Sequence, residues 1–252
     1  GLYKGEQNAG LVAAGILNPA KKLGDDTEPF LLEIKVPYAL GIMANRELDS
    51  FTPGINDLLY GNSEHNLISV EEKMAKGKVA IEALKNYKEA KKANDESLMK
   101  SSLSNLESNL NFLGYGYLKD AKDAVPPVAL TFYSFHIMVA LGTYFIALFA
   151  ITLYLNLSRK YKFENIRAFL WICLFTIPLG YIAAEAGWIV TEVGRQPWVI
   201  QDLMTVGVGA TNLSDSNVKI SFILFAVLFT VLLIAEIKIM LKQIKIGFND
   251  HA

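Results

Sequence analysis

Glu185, Trp188 and Glu192 are spaced three and four residues apart in the run IAAEAGWIVTEVG, which places them on one stripe of a helix. Two carboxylates and an indole on one face of an apolar helix point to iron ligation, to proton handling or to pairing with a buried base. A charged side chain near a bilayer centre costs on the order of 2.5–3.5 kcal/mol even on insertion scales, so such groups need a partner or a function. Glu192 has a plainer alternative, reaching water from the helix end; Glu185 lies deeper. The segment Gly194-Arg195-Gln196-Pro197-Trp198 follows at once. Glycine can end the helix, proline stops its continuation, and tryptophan suits a membrane interface. Arg195 then falls where a fixed cation would meet a haem propionate or a buried carboxylate.

A second pair lies earlier in the chain. His136 and Met138 are two residues apart, about 200° around a helix, so they face different partners. On chemistry alone His136 is the first candidate for a haem ligand; its alternative is a hydrogen bond to a neighbouring helix or a cofactor edge. Met138 reads as packing, or as the thioether second ligand of a low-spin haem.

Three apolar runs must position these groups. Ala124 to Ser158 contains no Asp, Glu, Lys or Arg and opens on Pro126 and Pro127. Ala168 to Gly194 carries the carboxylate stripe, and Ile220 to Met240 is the third run. The sequence therefore predicts membrane helices over 126–158, 168–194 and 218–242, with a link at 195–217 and a tail at 243–252. Glu236, beside Lys238 near the end of the third, reads as a snorkelling surface pair. Residues 1–125 hold most of the charge and several turn signals. Within them, VEEKMAKGKVAIEALKNYKEAKK has Val70, Met74, Val79, Ala83 and Tyr87 at helical spacing, with lysines and glutamates between. That is a solvated helical hairpin.

The chain has 252 residues, is 52% hydrophobic, has a mean hydropathy of +0.28 and carries a formal charge of −1. These values fit a chain that is part soluble and part membrane, and the balanced charge gives no reason to expect nucleic acid as a partner. Cys173 is the only cysteine, so no disulfide forms within the chain. The basic link (Arg159, Lys160, Lys162, Arg167) and the tail (Lys238, Lys242, Lys245) place those segments in the cytoplasm, and residues 1–125 and 195–217 outside. The opening at Gly1 reads as the middle of a longer chain. The sequons at Asn156 and Asn212 are read as chance.

The block Glu185-Ala-Gly-Trp188, followed by Thr-Glu192-Val-Gly-Arg195-Gln-Pro-Trp198, closely resembles the signature of subunit I of cytochrome bd quinol oxidases. Phe135-His-Ile-Met138-Val stands where that family has Phe-Arg-Ile-Met-Val. Pro37-Tyr-Ala-Leu-Gly-Ile-Met-Ala and the Ser50 to Leu58 segment are similar to its quinol-binding outer loop, in the long-loop subclass. The resemblance runs from about Gly1 to Met240.

The resemblance implies an all-α integral membrane protein: three transmembrane helices preceded by a largely helical extramembrane quinol loop, in a bacterial inner membrane. It implies quinol oxidation at the outer face and reduction of dioxygen to water, with two haems b, one low-spin and one high-spin, and haem d. Met138 matches the axial ligand of the low-spin haem b, and Glu192 the carboxylate on the high-spin haem b. Trp188 matches a tryptophan between haems, and Arg195 an arginine near the high-spin haem and haem d. His136 departs from the family arginine. The histidine ligands and the Lys and Glu pair for quinol would lie upstream of Gly1, so this chain would need the N-terminal part of the same subunit, besides subunit II, lipid and in some relatives a small extra subunit. It is expected to be inactive alone. The rival classes are a haem b quinone-redox subunit without oxygen chemistry and a proton or solute transporter using Glu185 and Glu192.

Overall fold

The computed structural model describes residues 2–47, 49–157, 166–211 and 213–246. Arg159, Lys160 and Lys162 of the basic link, the sequon residues Ser158 and Asn212, and tail residues 247–252 lie outside them. The chain forms two units, Gly1–Gly209 and Ala210–Ala252.

The first unit begins with β structure. Strand β1 (Glu6–Gln7) pairs antiparallel with β4 (Phe51–Thr52), and β2 (Leu11–Leu17) with β3 (Phe30–Val36). Two short helices, α1 (Ala39–Asn45) and α2 (Ile55–Tyr60), lie between and after them. Asp57 fixes the entry to α2. Its carboxylate accepts from Gly5 N–H at 2.5 Å, Gly54 N–H at 3.0 Å and Asn62 Nδ2 at 2.9 Å. Burial pushes its pKa up, but these hydrogen bonds prevail and hold it below the ordinary value.

Next comes the predicted helical hairpin, α3 (Val70–Ala93) and α4 (Glu96–Asn109). Ser69 accepts from Glu72 N–H at 3.1 Å and Asp95 from Leu98 N–H at 3.0 Å, the caps expected of these residue types. Asn94, left-handed at φ 55°, makes the turn. The buried seam of α3 is Val70, Met74, Gly77, Ala80, Ala83 and Ala90. Val79, expected on that seam, is 49% exposed. Small residues take the contact because the 3₁₀ segment Leu110–Tyr117 lies directly on it: a Cβ at Gly77 would collide with Phe112 O and the backbone of Gly116.

Two long helices complete this unit, α5 (Val128–Leu157) and α6 (Arg167–Val193). Their contacts run in opposite order: Thr131 beside Gly194, Met138 beside Gly187, and Tyr144 Oη within 2.7 Å of Thr176 Oγ1. They are therefore an antiparallel pair. After α6 come β5 (Trp198–Ile200), β6 (Met204–Thr205) and α7 (Val206–Gly209). The second unit is α8 (Asp215–Ile246), 32 residues with no buried side chain.

Helices α5, α6 and α8 are each long and apolar enough to cross a membrane. The shortest has 27 residues, about 40 Å at 1.5 Å per residue, against a hydrocarbon core of about 30 Å. The chain is a predominantly helical membrane protein, as expected. The hairpin of β2 and β3 is an addition to that expectation.

Candidate functional site

Met138 and His136 sit near the start of α5, on different sides as their spacing requires. The Met138 side chain faces α6, where a Cβ on Gly187 would stand 3.1 Å from its Sδ. Gly187 thus leaves the sulfur its space. His136 points the other way, to the N-terminal region: Nδ1 is 2.8 Å from Phe132 O and Nε2 2.8 Å from Val12 O. Each ring nitrogen faces a carbonyl, and only the doubly protonated ring donates to both. Both nitrogens are thus engaged by backbone carbonyls, one within α5 and the other on a strand and not on a neighbouring helix. Leu17 N–H donates to Tyr133 Oη at 3.0 Å, and Phe30 and Phe132 lie 5.6 Å apart, so the hairpin is docked on the first turns of α5.

Glu185, Trp188 and Glu192 occupy an exposed stripe of α6, with Arg195 in the turn beyond. Trp188 is 60% exposed. Among the described residues no ion pair or side-chain hydrogen bond engages either carboxylate or the Arg195 guanidinium. Gln196 Nε2 donates to the Glu192 backbone carbonyl, not to its side chain, at 3.2 Å. The stripe and Met138 are therefore separate features: the sulfur lies in the seam between α5 and α6, the acids and indole outside it. Among the described residues no three His, Cys, Asp or Glu converge on a metal site.

The turn after α6 differs in two details from its sequence reading. Gly194 caps the helix at φ −66°, in the right-handed region. Its smallness matters for a different reason: a Cβ would strike Val190 O and approach Thr131 of α5 to 3.2 Å. Trp198, read as an interface residue, is 6% exposed and belongs to the core of the extramembrane region with Leu59, Val70, Met74, Tyr115 and Leu118. The Gln196–Pro197 bond is cis, and Pro197 O accepts from Val206 N–H at 2.8 Å.

Sequence reasoning passed over Tyr115 and Asp202. Tyr115 lies edge-on to Trp198 at 4.8 Å and donates to Asp202 Oδ1 at 2.7 Å. Gly114 N–H donates to Asp202 O at 2.8 Å. Burial, the hydrogen bond to Asp202 and the carboxylate's charge all push the Tyr115 phenol above its ordinary pKa. The only signal was indirect: Tyr115 stands between two glycines, Gly114 and Gly116, and a Cβ on either would hit neighbouring backbone.

A family model described as cytochrome bd terminal oxidase subunit I matches residues 1–248. The chain is 30% identical over 239 residues to the Escherichia coli cytochrome bd-II ubiquinol oxidase subunit 1, covering 88% of this chain and 43% of the relative. It is 37% identical over 126 residues to the Bacillus subtilis cytochrome bd ubiquinol oxidase subunit 1, 50% of this chain and 26% of that one. Its fold is similar to the bd oxidase from Geobacillus thermodenitrificans, with a TM-score of 0.56 at 21% identity, over 98% of this chain and 40% of the other. The chain thus spans less than half the length of each of these relatives.

Proposed function

The chain belongs to the cytochrome bd terminal oxidase subunit I family, and on that premise we propose that it forms part of a haem-containing oxidase that oxidises quinol and reduces dioxygen to water. The observation that carries this reading is the stripe on α6. Two carboxylates and an indole stand exposed and unpaired on a helix otherwise apolar enough to span a bilayer. Facing lipid, that arrangement is costly; facing a haem and the remainder of a larger assembly, it is satisfied.

The donors present fit haem. A thioether and a carboxylate on separate faces serve two irons better than one, and the family resemblance assigns Met138 to the low-spin haem b and Glu192 to the high-spin haem b. Bound haem iron supplies the one-electron and oxygen chemistry. The protein's own groups orient and balance charge. Gly187 keeps space beside the Met138 sulfur, Trp188 lines the face between Glu185 and Glu192, and Arg195 offers a cation to haem carboxylates. His136 takes the place of the family arginine and holds the β2–β3 hairpin to α5. Residues 1–125 and 195–217 lie on the outer side of a bacterial inner membrane, with subunit II and the N-terminal part of subunit I as partners.

A reduced-minus-oxidised absorbance spectrum of the assembled protein tests this reading. A chlorin band in the red together with b-type bands is the expected result. Bands of b type alone would make this a redox subunit without oxygen chemistry, and the absence of haem would leave the carboxylates to proton or solute transport.

A further inference from the structure

Among the described residues the Arg195 guanidinium makes no ion pair or hydrogen bond, so the backbone beneath it decides where the cation can reach. That backbone is held from two sides. On the α6 side Gly194 N–H donates to Val190 O at 3.1 Å, and Gln196 N–H to Val193 O at 3.2 Å. On the other side Trp198 N–H donates to Arg195 O at 2.9 Å, and its indole is buried in the extramembrane core.

Trp198 is gripped in turn by the 3₁₀ segment Leu110–Tyr117. The Tyr115 ring lies edge-on to the indole at 4.8 Å, and a Cβ on Gly114 would strike both the indole and Asp202 O. Asp202 turns the chain between β5 and β6 with a left-handed φ of 62°. Its backbone oxygen accepts from Gly114 N–H at 2.8 Å, and its Oδ1 accepts from Tyr115 Oη at 2.7 Å. The same segment presses on α3, where Gly77 and Gly116 leave room for backbone alone. Close contacts therefore run from α3 through the segment to Trp198 and the Arg195 carbonyl. The phenol packs on Trp198 while its hydroxyl anchors the turn beyond, through a hydrogen bond strengthened by the carboxylate charge.

We propose that Tyr115 and Asp202 are positioning residues for Arg195: by fixing Trp198 they hold the cation where it serves the haem carboxylates. This rests on the proposed oxidase function, in which Arg195 balances haem charge. A cation beside a haem favours the reduced form, so a cation free to drift lowers that haem's midpoint potential.

The test is a redox titration of haem absorbance in the assembled oxidase, together with hydrogen exchange of residues 195–203. Arg195→Gln should lower the midpoint potential of the high-spin haem b. Tyr115→Phe removes one oxygen and keeps the ring against Trp198. It should lower the same potential, leave the low-spin haem b unmoved, and speed exchange at the Trp198 amide about ten-fold, as for loss of one hydrogen bond to a charged group. The double variant Tyr115→Phe/Arg195→Gln should match Arg195→Gln alone, because the tyrosine acts through the arginine. Asp202→Asn keeps the acceptor and tolerates the left-handed backbone, so it should stay close to wild type. Asp202→Gly tolerates that backbone too but lacks the acceptor, and should reproduce Tyr115→Phe.

An unchanged high-spin potential in Tyr115→Phe would overturn the positioning role and leave the oxidase function standing. So would equal shifts of both haems, which mark general loosening, or an additive shift in the double variant, which bypasses Arg195. A shift in Asp202→Asn as large as in Asp202→Gly would make the Asp202 charge the cause and overturn it as well. Should Tyr115→Phe fail to assemble, the two Asp202 variants decide: a potential lowered in Asp202→Gly and kept in Asp202→Asn supports the proposal. If Arg195→Gln moves no haem potential, the proposal falls together with the charge-balancing role of Arg195. Wild-type protein without haem would overturn the oxidase function and the positioning role at once.

Discussion

Under the proposed assignment of Met138 and Glu192 to different irons, a single methyl group at Gly187 should distinguish the two. The Cβ of Gly187→Ala would stand 3.1 Å from Met138 Sδ, tight enough to push the sulfur by a few tenths of an ångström. The Glu192 carboxylate, on the exposed stripe, would be untouched. Gly187→Ala is therefore expected to shift the absorbance or midpoint potential of the low-spin haem b and leave the high-spin signals in place. Glu192→Ala should do the reverse, disturbing the high-spin haem and sparing the low-spin one. Spectra in which both variants altered the same haem would refute the assignment of separate ligands. In the family signature Gly187 is only a residue between Glu185 and Trp188. Its use is invisible in sequence, because it depends on which face of α5 meets it. His136 illustrates the same limit. Its side chain is committed to Val12, more than a hundred residues away, and no local pattern announces such a pairing.

The elements themselves were legible in proportion to how local their causes are. The α3–α4 hairpin follows from charge interleaving, two capping residues and one left-handed asparagine, and it forms where expected. Its seam was misjudged at Val79 because sequence reading favours large apolar residues, whereas close approach of backbone selects Gly77 and the alanines. Gly77→Ala should accordingly destabilise this region by about 1–3 kcal/mol, the usual cost of overpacking, and Ser69→Ala by about 1 kcal/mol through loss of the cap. Thermal unfolding followed by circular dichroism checks both, and a variant at Gly77 as stable as the parent would mean the 3₁₀ segment does not pack as described. The hairpin of β2 and β3 was missed for a compositional reason. LVAAGIL is rich in alanine and glycine and FLLEIKV includes Glu and Lys, all of them residues depleted in strands. Between those strands Asp25 pairs with Lys21 at 2.7 Å. The hydrogen bond from Lys21, against some desolvation and helped by Lys22 N–H and Thr27, lowers the Asp25 pKa from 3.8 to about 2. A depressed carboxylate pKa stabilises the fold above its unfolded value and loses that contribution as the proton goes on. The connection between β2 and β3 should thus keep its order down to about pH 4 and loosen as pH falls toward 2. Asp25→Asn should flatten that acid limb in hydrogen exchange of residues 18–29, and an unchanged limb would rule the ion pair out as its cause.

For the whole molecule, the three apolar runs were plain because a bilayer demands long uncharged helices, and no tertiary contact is needed to see them. What links them to residues 1–125 was not plain. The sequence reading put Trp198 at a membrane interface, yet it lies in the extramembrane core, edge-on to Tyr115, with Gly114 bonded to Asp202. These contacts fix the segment after α6 to the same end of the α5–α6 pair as the α3–α4 hairpin. Because the pair is antiparallel, Arg167 must lie at the other end. The distribution of basic residues adds the proposal that this other end is cytoplasmic. The consequence can be measured in a background of Cys173→Ala, which removes the one thiol of these 252 residues. In intact, right-side-out vesicles a membrane-impermeant maleimide should label Lys92→Cys and Gln201→Cys, on the α3–α4 hairpin and the turn after α6. Arg167→Cys should react only after the vesicles are permeabilised. Labelling of Arg167→Cys alongside the other two would show that α5 and α6 do not cross the bilayer as a pair. Labelling of all three only after permeabilisation would keep the pair and invert the proposed orientation, moving the extramembrane region to the cytoplasmic side.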